Sequence, residues 1–113
     1  MKLVIQRVKK SKVTVGENVI GAINEGFLVL IGISNDDTRE NADYLVKKLI
    51  NLRVFSDSEG KMNLSIKDIK GELLLVSQFT LYADCKNGNR PSFINAAKPK
   101  VAKPLYEYFV RRV

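Results

Sequence analysis

The chain begins with short alternations of apolar and polar residues and then tightens into unbroken apolar runs. Lys2–Val8 alternates and predicts a strand. Val13-Thr14-Val15, then Gly16-Glu17-Asn18, then Val19–Ile23 predict a hairpin that turns at its glycine. Asn24-Glu25-Gly26 supplies the next turn, and Phe27-Leu28-Val29-Leu30-Ile31-Gly32-Ile33 predicts a buried strand. Four short strands joined by tight turns predict a meander that closes toward a barrel-like sheet.

The period then changes. Ala42, Leu45, Val46 and Leu49 fall on one helical face, with Asp43, Lys47 and Lys48 turned toward water. Asp37 is placed as the N-cap, and Glu40 three residues on completes a capping box. Leu52–Phe55 predicts a strand and Asp57-Ser58-Glu59-Gly60 a turn, while residues 61–70 follow no clear period. Gly71–Leu81 predicts a further strand. Asp84–Lys98 is loop-like, with Pro91 disfavouring helix at Arg90. A second helix is predicted over about Lys100–Val113, from Val101, Leu105, Tyr108 and Phe109; Pro104 is tolerable only within its first turn. Arg111 and Arg112 suit its C-terminus. The expected fold is a mixed α/β domain: a meander of short strands with two packed helices, spanning residues 1–113.

Composition narrows the chemistry. Hydrophobic residues make up 45% of the 113, enough for a packed core rather than a disordered chain. No apolar run reaches membrane-spanning length, so no membrane partner is expected. The single cysteine, Cys85, cannot form an internal disulfide, which fits a reducing, cytoplasmic setting. There is no histidine. Its absence removes the commonest general base, the usual activator of a serine or cysteine, and the favourite zinc ligand. No metal-ligand spacing stands out, and neither metal nor cofactor is expected.

Net charge is +7, unevenly spread. Residues 1–12 carry Lys2, Arg7, Lys9, Lys10 and Lys12 with no acid, residues 13–83 are net −3, and residues 84–113 are net +5. If the two ends meet in space they form one basic face, the footprint of a polyanion partner. A solvated lysine surface is the plainer reading of the same charges.

One stretch breaks the pattern. Leu73–Val76 reads as a strand buried on both faces, yet it runs into Ser77-Gln78-Phe79-Thr80-Leu81-Tyr82. Polar groups at the end of a buried strand cost about 1–3 kcal/mol each unless paired. Either local backbone satisfies Ser77, Gln78 and Thr80, or a ligand does.

These residues carry a resemblance. Ser77-Gln78-Phe79-Thr80-Leu81-Tyr82-Ala83-Asp84, followed by Gly88-Asn89-Arg90-Pro91-Ser92-Phe93, resembles the signature of the D-aminoacyl-tRNA deacylases, also called D-tyrosyl-tRNA deacylases. Met1–Val8 is similar to that family's first strand, as are Asn51–Phe55 and Gly60–Ser65 to its middle. The likeness is collinear along the chain. Family members continue into further strands with an Asn-x-Gly-Pro-x-Thr motif, which the sequence to Val113 does not contain. The deacylase-like domain therefore reads as C-terminally short.

The resemblance implies hydrolysis of the ester of D-aminoacyl-tRNA, and of glycyl-tRNA mischarged on tRNA-Ala, by a homodimer that frees tRNA for reuse. It makes Phe79 and Thr80 the catalytic candidates and Ser77, Gln78, Phe79, Thr80 and Arg7 the substrate-binding ones. Backbone N–H groups around Phe79 and Thr80 are placed to hold an oxyanion without histidine. Thr80 is either a nucleophile or a positioning residue; the family points to assistance by the RNA's own 2′-hydroxyl, which favours positioning. Phe79 is a stacking platform for the terminal adenine or a wall of the pocket. Arg7 anchors the motif or neutralises phosphate, a buried ion pair being the structural reading. Lys86, Arg90, Lys98 and Lys100 are the candidates for phosphate contacts. Two other readings stay open: a basic tRNA-binding module without chemistry, and a truncated, inactive homologue.

Overall fold

A computed structural model describes residues 1–113. The elements in order are β1 (Lys2–Val8), β2 (Ser11–Val15), β3 (Asn18–Ile23), β4 (Gly26–Gly32), α1 (Arg39–Asn51), β5 (Phe55–Ser56), β6 (Met62–Leu64), β7 (Glu72–Ser77), a 3₁₀ turn (Phe79–Tyr82) and α2 (Pro99–Arg112). The mixed α/β class and both helices match expectation. The strands do not close into a barrel. They form a three-stranded sheet in the order β1-β4-β7 and two separate pairs, β2-β3 and β5-β6.

The apolar run of β4 makes it the central strand. Its alternate residues Phe27, Val29 and Ile31 are fully buried on the helical side, where Leu49 of α1 and Phe109 of α2 meet them. β1 lies antiparallel on one side, and β7 lies parallel on the other, from Gly26↔Glu72 to Ile31↔Ser77. A parallel neighbour requires a long crossover, which α1 and the β5-β6 pair supply. Gly26 permits the start of this ladder: a Cβ there would lie 1.8 Å from the Glu72 carbonyl oxygen. The β2-β3 hairpin turns at Gly16-Glu17 as predicted, with Gly16 at φ +60°, a left-handed conformation that glycine adopts without strain.

Three local expectations are corrected. The N-cap of α1 is Thr38, whose N–H donates to Asn41 Oδ1 at 2.8 Å. Asp37 is not free to cap, because its carboxylate accepts the Ser34 N–H (2.7 Å) and the Met1 amino group (2.5 Å). Asp43 is not simply turned to water: Tyr108 Oη donates to it at 2.7 Å and Arg112 Nε at 3.1 Å, tying α1 to α2. The α2 helix begins at Pro99, so Pro104 falls in the second turn, where the carbonyl of Lys100 loses its usual donor. Both residues are exposed, which lets water take that donor's place.

The predicted strand over Leu52–Phe55 shrinks to Phe55–Ser56. Residues 61–70 comprise β6 and a turn that ends on Lys70 at φ 54°. The strand predicted over Gly71–Leu81 stops at Ser77, and its apolar residues are half-buried rather than buried on both faces. Neither helix is long and apolar enough to cross a membrane.

Candidate active site

The site is built where β7 ends. The Gln78 N–H donates to the Ile31 carbonyl at 2.8 Å, the last bond of the β4-β7 ladder. The backbone then turns away into the 3₁₀ turn, where Leu81 N–H bonds Gln78 O and Ala83 N–H bonds Thr80 O. The N–H groups of Phe79 and Thr80 open this turn. No carbonyl precedes them within it to act as acceptor. Gly32 lies directly against the turn, since a Cβ there would meet Leu81 Cβ at 2.9 Å.

The polar side chains are not buried, as the pattern had suggested. Ser77 and Thr80 are exposed and Gln78 is half-buried. The Gln78 amide Nε2 donates to the Thr80 hydroxyl oxygen. An amide donor does not accept a proton, so Thr80 keeps its hydroxyl hydrogen.

Ser77 and Phe79 face a cavity of about 540 Å³, bounded opposite by Phe93, Ala97, Lys98, Lys103 and Tyr106. Phe79 is 57% exposed and meets Phe93 edge-on, with centroids 5.1 Å apart at 69°. The cavity is floored by the α2-β7 junction, where Tyr106 Oη donates to the Leu75 carbonyl at 3.0 Å. Burial pushes the Tyr106 phenol pKa up, so the group stays a neutral donor. Phe93 closes the second signature segment in the sequence but was given no role there, and Tyr106 was not singled out; one sits in a segment that reads as loop, the other in a helix.

The remaining candidates disperse. Lys98 lines the cavity, and Lys100 lies two residues further along, exposed on α2. Arg90 is exposed in a loop whose base is closed by the reciprocal bonds of Asp84 and Ser92, both 2.7 Å. Lys86 borders a different cleft of about 510 Å³ with Lys2, Tyr82 and Cys85. Lys2 is held there by its bond to Leu81 O (3.3 Å) and by the Tyr82 ring 4.6 Å beneath it.

Arg7 is not brought to the motif within this chain. It pairs across the sheet with Phe27, and Phe27 with Leu73, four residues before Ser77. That places it about 13 Å back along the strands and two strands across. It is exposed, not in a buried ion pair, and its guanidinium donates to Val54 O. The two basic chain ends meet at Lys2, which shares a cleft with Lys86; Lys9 borders a depression at the far end of the sheet with Arg7 and Glu25.

A model of the D-Tyr-tRNA(Tyr) deacylase family matches residues 4–113. The chain belongs to that family. It is 58% identical over 112 residues to a D-aminoacyl-tRNA deacylase of Clostridioides difficile, covering 99% of this chain and 75% of that one. It is 54% identical over 113 residues to one of Thermosipho melanesiensis, covering 100% and 75%. Among solved structures, a c-Myc DNA unwinding element binding protein superposes with TM-score 0.91 at 44% identity, over 99% of this chain and 75% of that one. A structure described as a probable eukaryotic D-amino acid tRNA deacylase superposes with TM-score 0.82 over 98% and 65%; at 20% identity it shows the shared fold. As a member of this hydrolase family the chain is an enzyme. Ser77 and Phe79, at the end of β7 and the start of the 3₁₀ turn, line the aromatic-walled cavity.

Proposed function

We propose that this chain hydrolyses the ester joining a D-amino acid to the 3′ end of tRNA, with glycine on tRNA-Ala as a second substrate. One observation carries the reading. The 3₁₀ turn opens on two adjacent backbone N–H groups, of Phe79 and Thr80, and the first of these residues lines a cavity that holds an aromatic platform. Backbone donors aimed at a developing oxyanion act in full without any histidine.

In this mechanism water attacks the ester carbonyl carbon and the carbonyl oxygen gains negative charge. The Phe79 and Thr80 N–H groups stabilise that charge. The vicinal 2′-hydroxyl of the ribose assists the water. The bond to the ribose 3′-oxygen then breaks, that oxygen takes a proton, and free amino acid and tRNA leave. Thr80 acts as a positioning residue: with Gln78 donating to its oxygen, its hydroxyl hydrogen is free to orient the substrate. Ser77 lines the same cavity as Phe79, and Phe79 meets the terminal base, a contact that contributes about 1–3 kcal/mol. Lys86, Arg90, Lys98 and Lys100 contact phosphate and orient the acceptor end.

The chain acts as a cytoplasmic homodimer. The sheet face opposite the helices supports this: Val4, Leu30 and Val76 form one apolar row across β1, β4 and β7, with Val4 49% exposed. Val15, Val19 and Ile20 of the neighbouring hairpin are also exposed. A second copy covering this face removes apolar surface from water. Arg7 then has its role at the partner's site rather than its own.

The test is incubation with D-tyrosyl-tRNA and L-tyrosyl-tRNA. Release of D-tyrosine with the L-ester spared supports the reading. Salt-sensitive binding of tRNA with no release of either amino acid would instead favour a binding module without chemistry.

A further inference from the structure

The cavity beside Phe79 is electropositive and has no counter-charge of its own. Lys98 and Lys103 both line it, and no carboxylate does. The ion pairs of the chain are Met1–Asp37 and Arg112–Asp43, so neither lysine is engaged. The adjoining turn of α2 carries no acidic residue either. Two exposed ammonium groups lining one cavity with no carboxylate among its walls favour an anion there.

The rest of the cavity has a different character. Phe79 and Phe93 present ring surface, Ala97 and Ala102 keep the wall flat, and Ser77 offers a single hydroxyl. A volume of about 540 Å³ suits one nucleoside-sized ligand. A planar base joined to a phosphate satisfies both characters together.

We infer that Lys98 and Lys103 grip the phosphodiester on the 5′ side of the terminal nucleoside while Phe79 and Phe93 meet its base. The inference rests on the deacylase reading and adds to it the part of the RNA that is read. Lys103, five residues beyond Lys98 on the same rim, carries no role from the sequence pattern. Phosphate recognition of this kind positions the substrate without reading its sequence, so it serves every tRNA, whichever amino acid is attached. Lys86 and Lys2 border a separate cleft and take no part in this contact.

The experiment compares two small substrates: the 3′-D-tyrosyl ester of adenosine and the same ester of adenosine 5′-monophosphate. For the unaltered chain, kcat/KM is expected to be about tenfold higher for the phosphorylated ester, through KM, as for one charge-assisted contact. In the Lys98→Gln, Lys103→Gln double variant that ratio falls to within about twofold of one. With full-length D-tyrosyl-tRNA, the same variant shows a log–log salt dependence shallower by about 0.7, the loss of one single-strand phosphate contact. A Lys47→Gln, Lys61→Gln control of equal net charge keeps the original ratio. A ratio unmoved by the Lys98, Lys103 substitutions, or moved equally by the control, overturns the inference while the deacylase reading stands. Hydrolysis of neither ester by the unaltered chain, nor of D-tyrosyl-tRNA, would sink both.

Discussion

The Gln78 side-chain amide donates to the hydroxyl oxygen of Thr80, two residues further along the turn. This contact fixes the Thr80 side chain and leaves its proton in place, the opposite of what a nucleophile needs. Thr80→Ala is therefore expected to keep substantial turnover, because the Phe79 and Thr80 backbone donors survive the substitution. Each such donor contributes about 2.7–4 kcal/mol in other enzymes. Single-turnover hydrolysis of D-tyrosyl-tRNA checks this. A folded Thr80→Ala protein that binds tRNA and shows no turnover would make Thr80 the nucleophile.

Tyr106 joins α2 to the outer edge of β7 through the Leu75 carbonyl. Tyr106→Phe removes this bond and little else. We expect a loss of about 1 kcal/mol, the typical net contribution of a neutral hydrogen bond. It reads out as a lower urea midpoint with an unchanged m-value. An unchanged midpoint would show that water replaces the phenol at no cost.

Asp43 and Tyr108 give the helix pair a pH window. The Tyr108 hydrogen bond, helped by Arg112, holds the Asp43 carboxyl below its ordinary 3.8. The same carboxylate pushes Tyr108 above its ordinary 10.0. A lowered acid stabilises the fold above its unfolded-state pKa and loses that contribution as pH falls through the folded value. A raised phenol stabilises below its unfolded-state pKa and loses it as pH rises through the folded value. The melting temperature of the unaltered protein should exceed that of Tyr108→Phe between those limits, and the two should converge beyond either. A difference that does not change with pH would contradict the pairing.

Pro104 interrupts the second turn of α2. Replacing it with alanine restores a donor to the Lys100 carbonyl and removes ring crowding. Interior proline costs a helix about 3 kcal/mol relative to alanine, so Pro104→Ala should raise the melting temperature by several degrees. A fall would mean that the proline is needed where it packs beside Thr38 and Leu105.

Much of the fold was legible because periodicity reports burial directly. Phe27–Ile33 read as the buried strand it is, and Ala42, Val46 and Leu49 are the buried face of α1. What failed depended on contacts distant in sequence. The cap moved from Asp37 to Thr38 because Met1, 36 residues earlier, claims the Asp37 carboxylate. The barrel did not form because β4 takes β7 as its second neighbour, in parallel, instead of the adjacent β3. At the site, the Ser77–Thr80 stretch located the turn, yet no part in the cavity could be read for Phe93, Lys103 or Tyr106. Lys103 and Tyr106 belong to the cavity only through the docking of α2 on β7, and Phe93 only through the loop that sets its ring against Phe79; no local pattern encodes either. Arg7 shows the converse: a conspicuous charge in an apolar strand whose partner within the chain is the Val54 carbonyl.

In the proposed mechanism the chain supplies the oxyanion donors and the RNA supplies the hydroxyl that assists the water. The most direct test is single-turnover release of D-tyrosine from D-tyrosyl-tRNA carrying either a native or a 2′-deoxy terminal ribose, each corrected for its uncatalysed rate. The account predicts rapid release from the native ester and a nearly inert deoxy ester, with binding of the two alike. Equal acceleration of both esters would contradict it and place the missing group in the protein.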